Sequence, residues 1–556
     1  MKKIYLLFVF SAIIFSCKVD PKQGETEVAP QVRWEAEDET AELEEQETHE
    51  VERMRFKLIN SKYLDKNNIW APFEADLANF SSEKYERLKP IVLERTIPEL
   101  QRSIKAGELT YEDLTLFYIY RIRQIESDNN KSLNAVIALN PNVVEEARQL
   151  DQRGAPAVNE NSIYGMPILL KDNINTANMK TTAGALALAE NQPVKDAFIV
   201  DRLERHKALV LGKVNLSEWA YYFCDGCPLG YSAIGGQTLN PYGRKQFETG
   251  GSSAGSGVAV AANYAVAAIG TETAGSILSP ASKNSVVGLK PTIGLLSRTG
   301  IVPISSTLDT PGPMTKSVID NAILLNALTG KDVEDFASVE GGKDYVKGLS
   351  SGALKGKRIG VMKSLLTDSL YNSAVEQMRN EGAVIIEFEA PRVPLDNFLT
   401  LLNADMKKDM QEYLSKQAGE EVTFKNVEAI VKYNEKDTLL RAPYGQQLFH
   451  NVVADTTSAE ELERISAELE KNGRRFFDEP MQQHNLDAVA SMNNYHAAYA
   501  AVAKYPALAV PAGLEKTGEP KSITFIVKPF EEEKLLQIGY GFEQQTNLRQ
   551  APKNYR

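Results

Sequence analysis

Between Ile97 and Gln152 apolar residues recur every three to four positions, a spacing that predicts helices. Thr96, followed by Pro98 and Glu99, marks one start. Thr110-Tyr111-Glu112-Asp113 is a capping-box arrangement ahead of a helix over 114–125, and 142–150 reads as a third. The pattern then changes to short continuous apolar runs. Residues 167–170, 209–214 and 265–270 read as buried strands, the last of them after a helix of small residues over 256–263. Strands alternating with helices predict a layered α/β core. Residues 332–477 are more charged and mostly of helical period, with one strand at 358–362, and so predict a helical peripheral region. Core character returns at 488–491, 507–511 and 522–527, and the chain closes on a helix over 535–545.

Charge changes the picture mainly at the N-terminus. The 556 residues carry a net charge of −12, and the segment 35–52 alone holds ten carboxylates with no Lys or Arg. The rest is near neutral and has no basic stripe, which excludes a nucleic-acid partner. The acidic segment reads as a solvated, self-repelling linker. Before it, Lys2 and Lys3 precede an apolar stretch, 4–15, too short to span a bilayer, which ends Ile14-Phe15-Ser16-Cys17. This resembles a bacterial lipoprotein signal, with Cys17 acylated as the first mature residue; an ordinary secretory signal is the alternative. Both predict export, and the first predicts a lipid anchor in a bacterial membrane, facing the periplasm or the cell surface. The expected organisation is a signal peptide over 1–17, an acidic and mostly disordered tether over 18–85, and one folded domain over 86–556. The remaining cysteines, Cys224 and Cys227, read as a structural loop staple or as free thiols. Five scattered histidines do not supply a metal cluster.

The candidate chemistry lies in Phe247–Ser279, where two serine-bearing glycine turns flank a run of small apolar residues. Glycine lets backbone N–H groups approach a ligand closely, and a serine hydroxyl can attack a carbonyl once a base takes its proton. A phosphate-cradling loop is excluded by the missing Gly-Lys-Ser/Thr ending. Gly251-Ser252-Ser253-Ala254-Gly255 also satisfies G-x-S-x-G, which would make Ser253 the nucleophile of an α/β-hydrolase with one of His450, His484 or His496.

Several ordered motifs bear on that choice: Met166-Pro167-Ile168-Leu169-Leu170-Lys171-Asp172-Asn173, Gly250-Gly251-Ser252-Ser253-Ala254-Gly255-Ser256, Gly270-Thr271-Glu272-Thr273-Ala274-Gly275-Ser276-Ile277 and Asp309-Thr310-Pro311-Gly312-Pro313-Met314. Together they resemble the amidase signature family over roughly residues 90–550, and within it the peptide-amidase branch. The resemblance implies an α/β/α sandwich around a large mixed sheet. It implies catalysis without a cofactor or metal through a Ser–cis-Ser–Lys triad, with Ser276 as nucleophile, Ser252 as bridge after a cis peptide bond, and Lys171 as base. Such a lysine works only when neutral, and burial after an apolar strand disfavours its ammonium form. Backbone N–H groups of Thr273, Ala274, Gly275 and Ser276 would form the oxyanion hole, aided by the start of a helix. Ala274 stands where the family usually has glycine. Leu278 stands where many relatives carry arginine, which implies an uncharged or apolar group of the substrate nearby, with Ser253 a further contact. The implied reaction is hydrolysis of a carboxamide to acid and ammonia on C-terminal peptide amides or amino-acid amides. The alternatives are acylated amines or aryl amides, the glutamine-hydrolysing subunit of a tRNA amidotransferase (disfavoured by the export signal), and a catalytically silent ligand-binding surface lipoprotein.

Overall fold

The computed structural model describes Met1, residues 33–154 and residues 158–556, so, Met1 apart, the signal peptide expected over 1–17, with Cys17, lies outside the described residues. In chain order its strands are β1 (Val136–Leu139), β2 (Pro167–Lys171), β3 (Leu209–Val214), β4 (Tyr231–Ser232), β5 (Gly236–Gln237), β6 (Ala267–Glu272), β7 (Val287–Lys290), β8 (Thr310–Thr315), β9 (Arg358–Met362), β10 (Val384–Phe388), β11 (Ala488–Met492), β12 (Ala507–Leu514) and β13 (Pro520–Ile526). β4 and β5 form a small antiparallel ribbon. The other eleven form one mixed sheet in the order β1-β3-β2-β6-β8-β7-β12-β13-β11-β9-β10, flanked by helices. The expected α/β architecture with a large mixed central sheet is what the chain adopts.

At the heart of the sheet β2 runs parallel to both neighbours, with Leu170 opposite Lys213 of β3 and Ile269 of β6. Every residue of β2, β3 and β6 is buried. Burial on both faces is why these strands read as unbroken apolar runs rather than alternating ones. The helices follow their caps. Thr96 and Glu99 close a reciprocal capping box on the helix Ile97–Lys105, and Thr110 accepts from Asp113 N–H at the start of Tyr111–Glu126.

Two expectations fail. The tether predicted over 18–85 is built into the fold from Trp34 onward, with helices at Thr40–Gln46, Asn67–Trp70, Glu74–Ala78 and Ser82–Val92. Trp34, Met54, Phe56, Trp70 and Phe73 are buried there. The carboxylates that suggested self-repulsion find partners: Glu42 and Glu45 pair with Lys245, and Glu39 accepts from Ile59 and Asn60 N–H. The region 332–477 is likewise not wholly peripheral, because β9 and β10 extend the main sheet through β11. Its later helices, including Phe398–Lys416, Gln447–Ala454 and Ala459–His484, pack a second apolar cluster that takes in Trp219, Phe223 and Phe449. Among the described residues no helix is long and apolar enough to cross a membrane.

Candidate active site

The parallel strands β2 and β6 are paired as far as Leu170 and Ile269, β2 ending on Lys171 and β6 running on to Glu272, so the segments that follow them leave from the same edge of the sheet. Carboxyl ends of parallel strands are where α/β sheets place their ligands. After β6 the turn Thr273–Ser276 leads into a short helix, Leu278–Lys283. The second serine turn precedes the helix Ala254–Ala261, and its Gly251–Ser252 peptide bond is cis. Gly250 has φ +67°, and a Cβ there would lie 2.7 Å from the backbone of Ser279 and Pro280. Only glycine lets this turn approach the helix Leu278–Lys283 so closely, which brings the two turns together. They are joined directly, because Ser253 N–H donates to Ser276 O at 3.0 Å. Ser217 holds the other side: its N–H donates to Ser252 O (3.0 Å), and its hydroxyl accepts from Gly230 N–H (2.8 Å).

Lys171 and Ser252 have no exposed surface, whereas Ser276 is partly exposed. Lys171 Nζ lies 2.7 Å from Ser252 Oγ, 2.8 Å from Thr271 Oγ1 and 3.2 Å from Thr271 O. A neutral amine has two protons and one lone pair, and these three contacts match that inventory: donation twice to Thr271 and acceptance from the Ser252 hydroxyl. Burial pushes the Lys171 ammonium down to about 7, against the opposing pull of the Asp309 and Glu272 carboxylates. The arrangement can therefore draw a proton from Ser252 toward Lys171 near neutral pH.

The turn after β6 is held from beneath by Glu272. Its Oε2 accepts from Ile277 N–H (2.7 Å) and Leu278 N–H (2.9 Å). This changes the expected helix contribution to the oxyanion hole. The helix is only six residues long, and its first N–H groups, with their partial positive charge, are met by this carboxylate. The Gly275 N–H is also directed at Glu272, so of the four expected donors the turn keeps Thr273, Ala274 and Ser276 N–H as candidates. The left-handed conformation falls on Gly275 (φ +102°) and not on Ala274, so the methyl at 274 is accommodated.

Two residues expected to touch substrate are placed otherwise. Ser253 is fully buried, and its hydroxyl donates to Thr271 O (3.0 Å) and accepts from Thr271 N–H (3.2 Å). With both capacities spent on one backbone unit, it faces no histidine, contrary to the α/β-hydrolase reading. Leu278 is 1% exposed and packs into the main core, because the short helix turns its side chain inward.

Sequence reasoning also missed several groups that line the site. Asp309 accepts from Thr273 Oγ1 (2.5 Å) and from the N–H groups of Ile304 (2.8 Å) and Ser305 (2.9 Å). Asn173 Nδ2 donates to Thr271 Oγ1 (3.0 Å). Trp219, Ala220 and Tyr221 all have positive φ, a left-handed turn without glycine, and such backbone clusters at functional sites. Asp309 and Asn173 stand inside motifs that were visible, but nothing in the spacing says what they face. Cys224 and Cys227 are joined in a disulfide. The neighbouring Phe223 anchors that loop to the helix Gln447–Ala454, through Leu448 N–H to Phe223 O and an edge-on contact with Phe449.

The Amidase family model matches residues 113–536. The chain belongs to the amidase family. As an amidase it is similar to a probable amidase of Arabidopsis thaliana, 34% identical over 482 residues, or 83% of this chain and 92% of that protein. Among solved structures, an amidase family protein from Bacillus anthracis matches with a TM-score of 0.85 at 38% identity, covering 89% of this chain and 100% of that one. The native peptide amidase from Stenotrophomonas maltophilia matches with a TM-score of 0.78 at 37% identity, covering 83% of this chain and 98% of the other. The chain is thus an amide-hydrolysing enzyme.

Proposed function

We propose that this amidase cleaves a carboxamide through an acyl-enzyme on Ser276, with Ser252 passing a proton to Lys171 and returning it to the leaving nitrogen. The observation that carries the reading is the Lys171–Ser252 contact of 2.7 Å at a fully buried lysine whose other two contacts are acceptors on Thr271. An amide carbonyl is a poor electrophile, so the attacking hydroxyl has to lose its proton during attack, and the departing amine has to gain one. Ser276, partly exposed on a turn bonded to the Ser252–Ser253 turn, is the hydroxyl that substrate can reach. Oxygen charge that develops in the tetrahedral intermediate meets the N–H groups of the same turn.

The substrates we assign are C-terminal peptide amides or amino-acid amides, released as acid and ammonia. Similarity to a peptide amidase at 37% identity supports that class. Acylated amines and aryl amides are the second reading, since the same triad serves them. We further propose that the enzyme is exported and lipid-anchored through Cys17, on the strength of the Lys2–Cys17 segment.

The test is labelling by a serine-directed fluorophosphonate, followed by an ammonia-release screen. Labelling lost in Ser276→Ala but kept in Ser253→Ala is the expected result, and the reverse would remove Ser276 from the mechanism. In the screen, amidated dipeptides should release ammonia faster than aryl acylamides are cleaved. A preference for the latter overturns the substrate class while leaving the triad intact.

A further inference from the structure

Beside Thr271, the residue that Lys171 contacts, a cavity with about 10 Å³ open to the centre of a water molecule lies among Asn173, Thr271, Thr273, Arg298 and Asp309. That is the room one water needs, provided two to four polar partners surround it. Hydrogen-bond accounting points to such an occupant. Thr271 Oγ1 accepts from both Lys171 Nζ and Asn173 Nδ2, so its own proton must be donated elsewhere. Asn173 is 2% exposed, and its Oδ1 is a buried acceptor with no partner among the described residues. A buried amide oxygen left unpaired keeps its full desolvation penalty, which one bridging water recovers.

We propose that this cavity is a single-water site and that Asp309, lining it, is a positioning residue that sets the pH at which Lys171 becomes uncharged. The water accepts the Thr271 hydroxyl proton and donates to Asn173 Oδ1, which fixes the orientation of the hydroxyl that Lys171 leans on. Asp309 acts through charge. The groups facing this pair are few: Glu272, itself opposed by Lys290 of β7, and Arg298, which is engaged by Asp335 and stands near Asp409 of the helix Phe398–Lys416. Asp405 on that helix accepts from the hydroxyl of Ser305, whose own N–H donates to Asp309. Burial raises the Asp309 carboxyl, whereas the Thr273 hydroxyl and the Ile304 and Ser305 N–H groups favour its ionised form. An ionised Asp309 stabilises the ammonium of Lys171 and so delays its deprotonation as pH rises.

This inference rests on Lys171 being the base, and the experiment separates the two. The kcat/KM–pH profile is measured on an N-acetylated amino-acid amide for the native enzyme, Asp309→Asn and Asp309→Glu, and a high-resolution crystal structure of the native enzyme is determined. Asp309→Asn should move the acid limb down by about 1 pH unit, the scale of a nearby opposite charge. Asp309→Glu, which keeps the charge, should hold the limb near the native position. Density for one water within hydrogen-bond distance of Asn173 Oδ1 is expected. An unmoved limb, or a native crystal without that water, overturns the proposal. Should Asp309→Asn fail to fold, Thr273→Val removes a donor that keeps Asp309 ionised, and it should shift the limb in the same direction. Undiminished turnover in Lys171→Ala would instead overturn the underlying triad.

Discussion

At the scale of single residues, the proposed mechanism makes the protonation of Lys171 decide the rate. Burial brings it down to about 7, so kcat/KM should rise about tenfold per pH unit below that value and level off above it. Replacing it by methionine should cost on the order of 10²–10⁴ in kcat/KM, the usual worth of a positioned general base. The same burial leaves a mark on stability. Between about pH 7 and the ordinary 10.5 the unfolded chain holds a proton at this lysine that the native state does not, so its contribution makes stability rise with pH. Denaturant midpoints measured across that window should climb less steeply for Lys171→Met than for the native enzyme. Equal slopes would mean that Lys171 is not buried neutral. Of the site, the two turns and Lys171 were legible because their residue types carry the chemistry in sequence order. Asp309 and Asn173 were not, since an orphaned oxygen and a through-space charge exist only once β2, β6 and the 298–309 loop have been brought together.

At the scale of elements, the decisive piece is the turn between β6 and the helix Leu278–Lys283. Glu272 accepts two consecutive N–H groups there, so its carboxylate fixes the path of the backbone that presents Ser276. Glu272→Ala strands buried donors, at about 1–3 kcal/mol each. By letting the turn drift, it should lower kcat on the order of 10²-fold with little change in KM. Glu272→Gln keeps an oxygen acceptor and should recover most of the thermal stability. A Glu272→Ala variant with native kcat would show that the turn is rigid without it. Elements flanked by apolar runs were foreseeable, β2 and β3 almost to the residue. β8 was not: Thr310-Pro311-Gly312-Pro313-Met314-Thr315 lacks an apolar run, and prolines ordinarily argue against a central strand. It sits between β6 and β7 because Gly312 passes so close to Leu289 O that a Cβ would lie 2.1 Å from it. A requirement for close approach is invisible to hydrophobic patterning.

At the scale of the whole molecule, the segment from Trp34 to Phe80 shows how average charge misleads. Its carboxylates outnumber its bases, yet Trp34, Met54, Phe56, Ile59, Ile69, Trp70, Phe73, Leu77 and Phe80 are all buried. Backbone bonds reinforce the docking, since Ile59 O accepts from Gln237 N–H (2.8 Å) and from Asn134 Nδ2 (3.0 Å). The surface ion pairs to Lys245 and between Arg53 and Glu248 are worth about 0–1 kcal/mol each. Nine buried apolar side chains, at about 1.5–3 kcal/mol apiece before the entropy cost of ordering them, outweigh those pairs. Two consequences separate an apolar dock from an electrostatic one. High salt should leave the segment as resistant to limited proteolysis as low salt does, because screening touches only the minor term. Removing residues 2–80 should give a protein that aggregates or melts far lower, having exposed the apolar surface that Trp34–Phe80 covers. A 2–80 deletion that melts like the parent would mean that the segment is an appendage after all, and that the amidase core is complete without it.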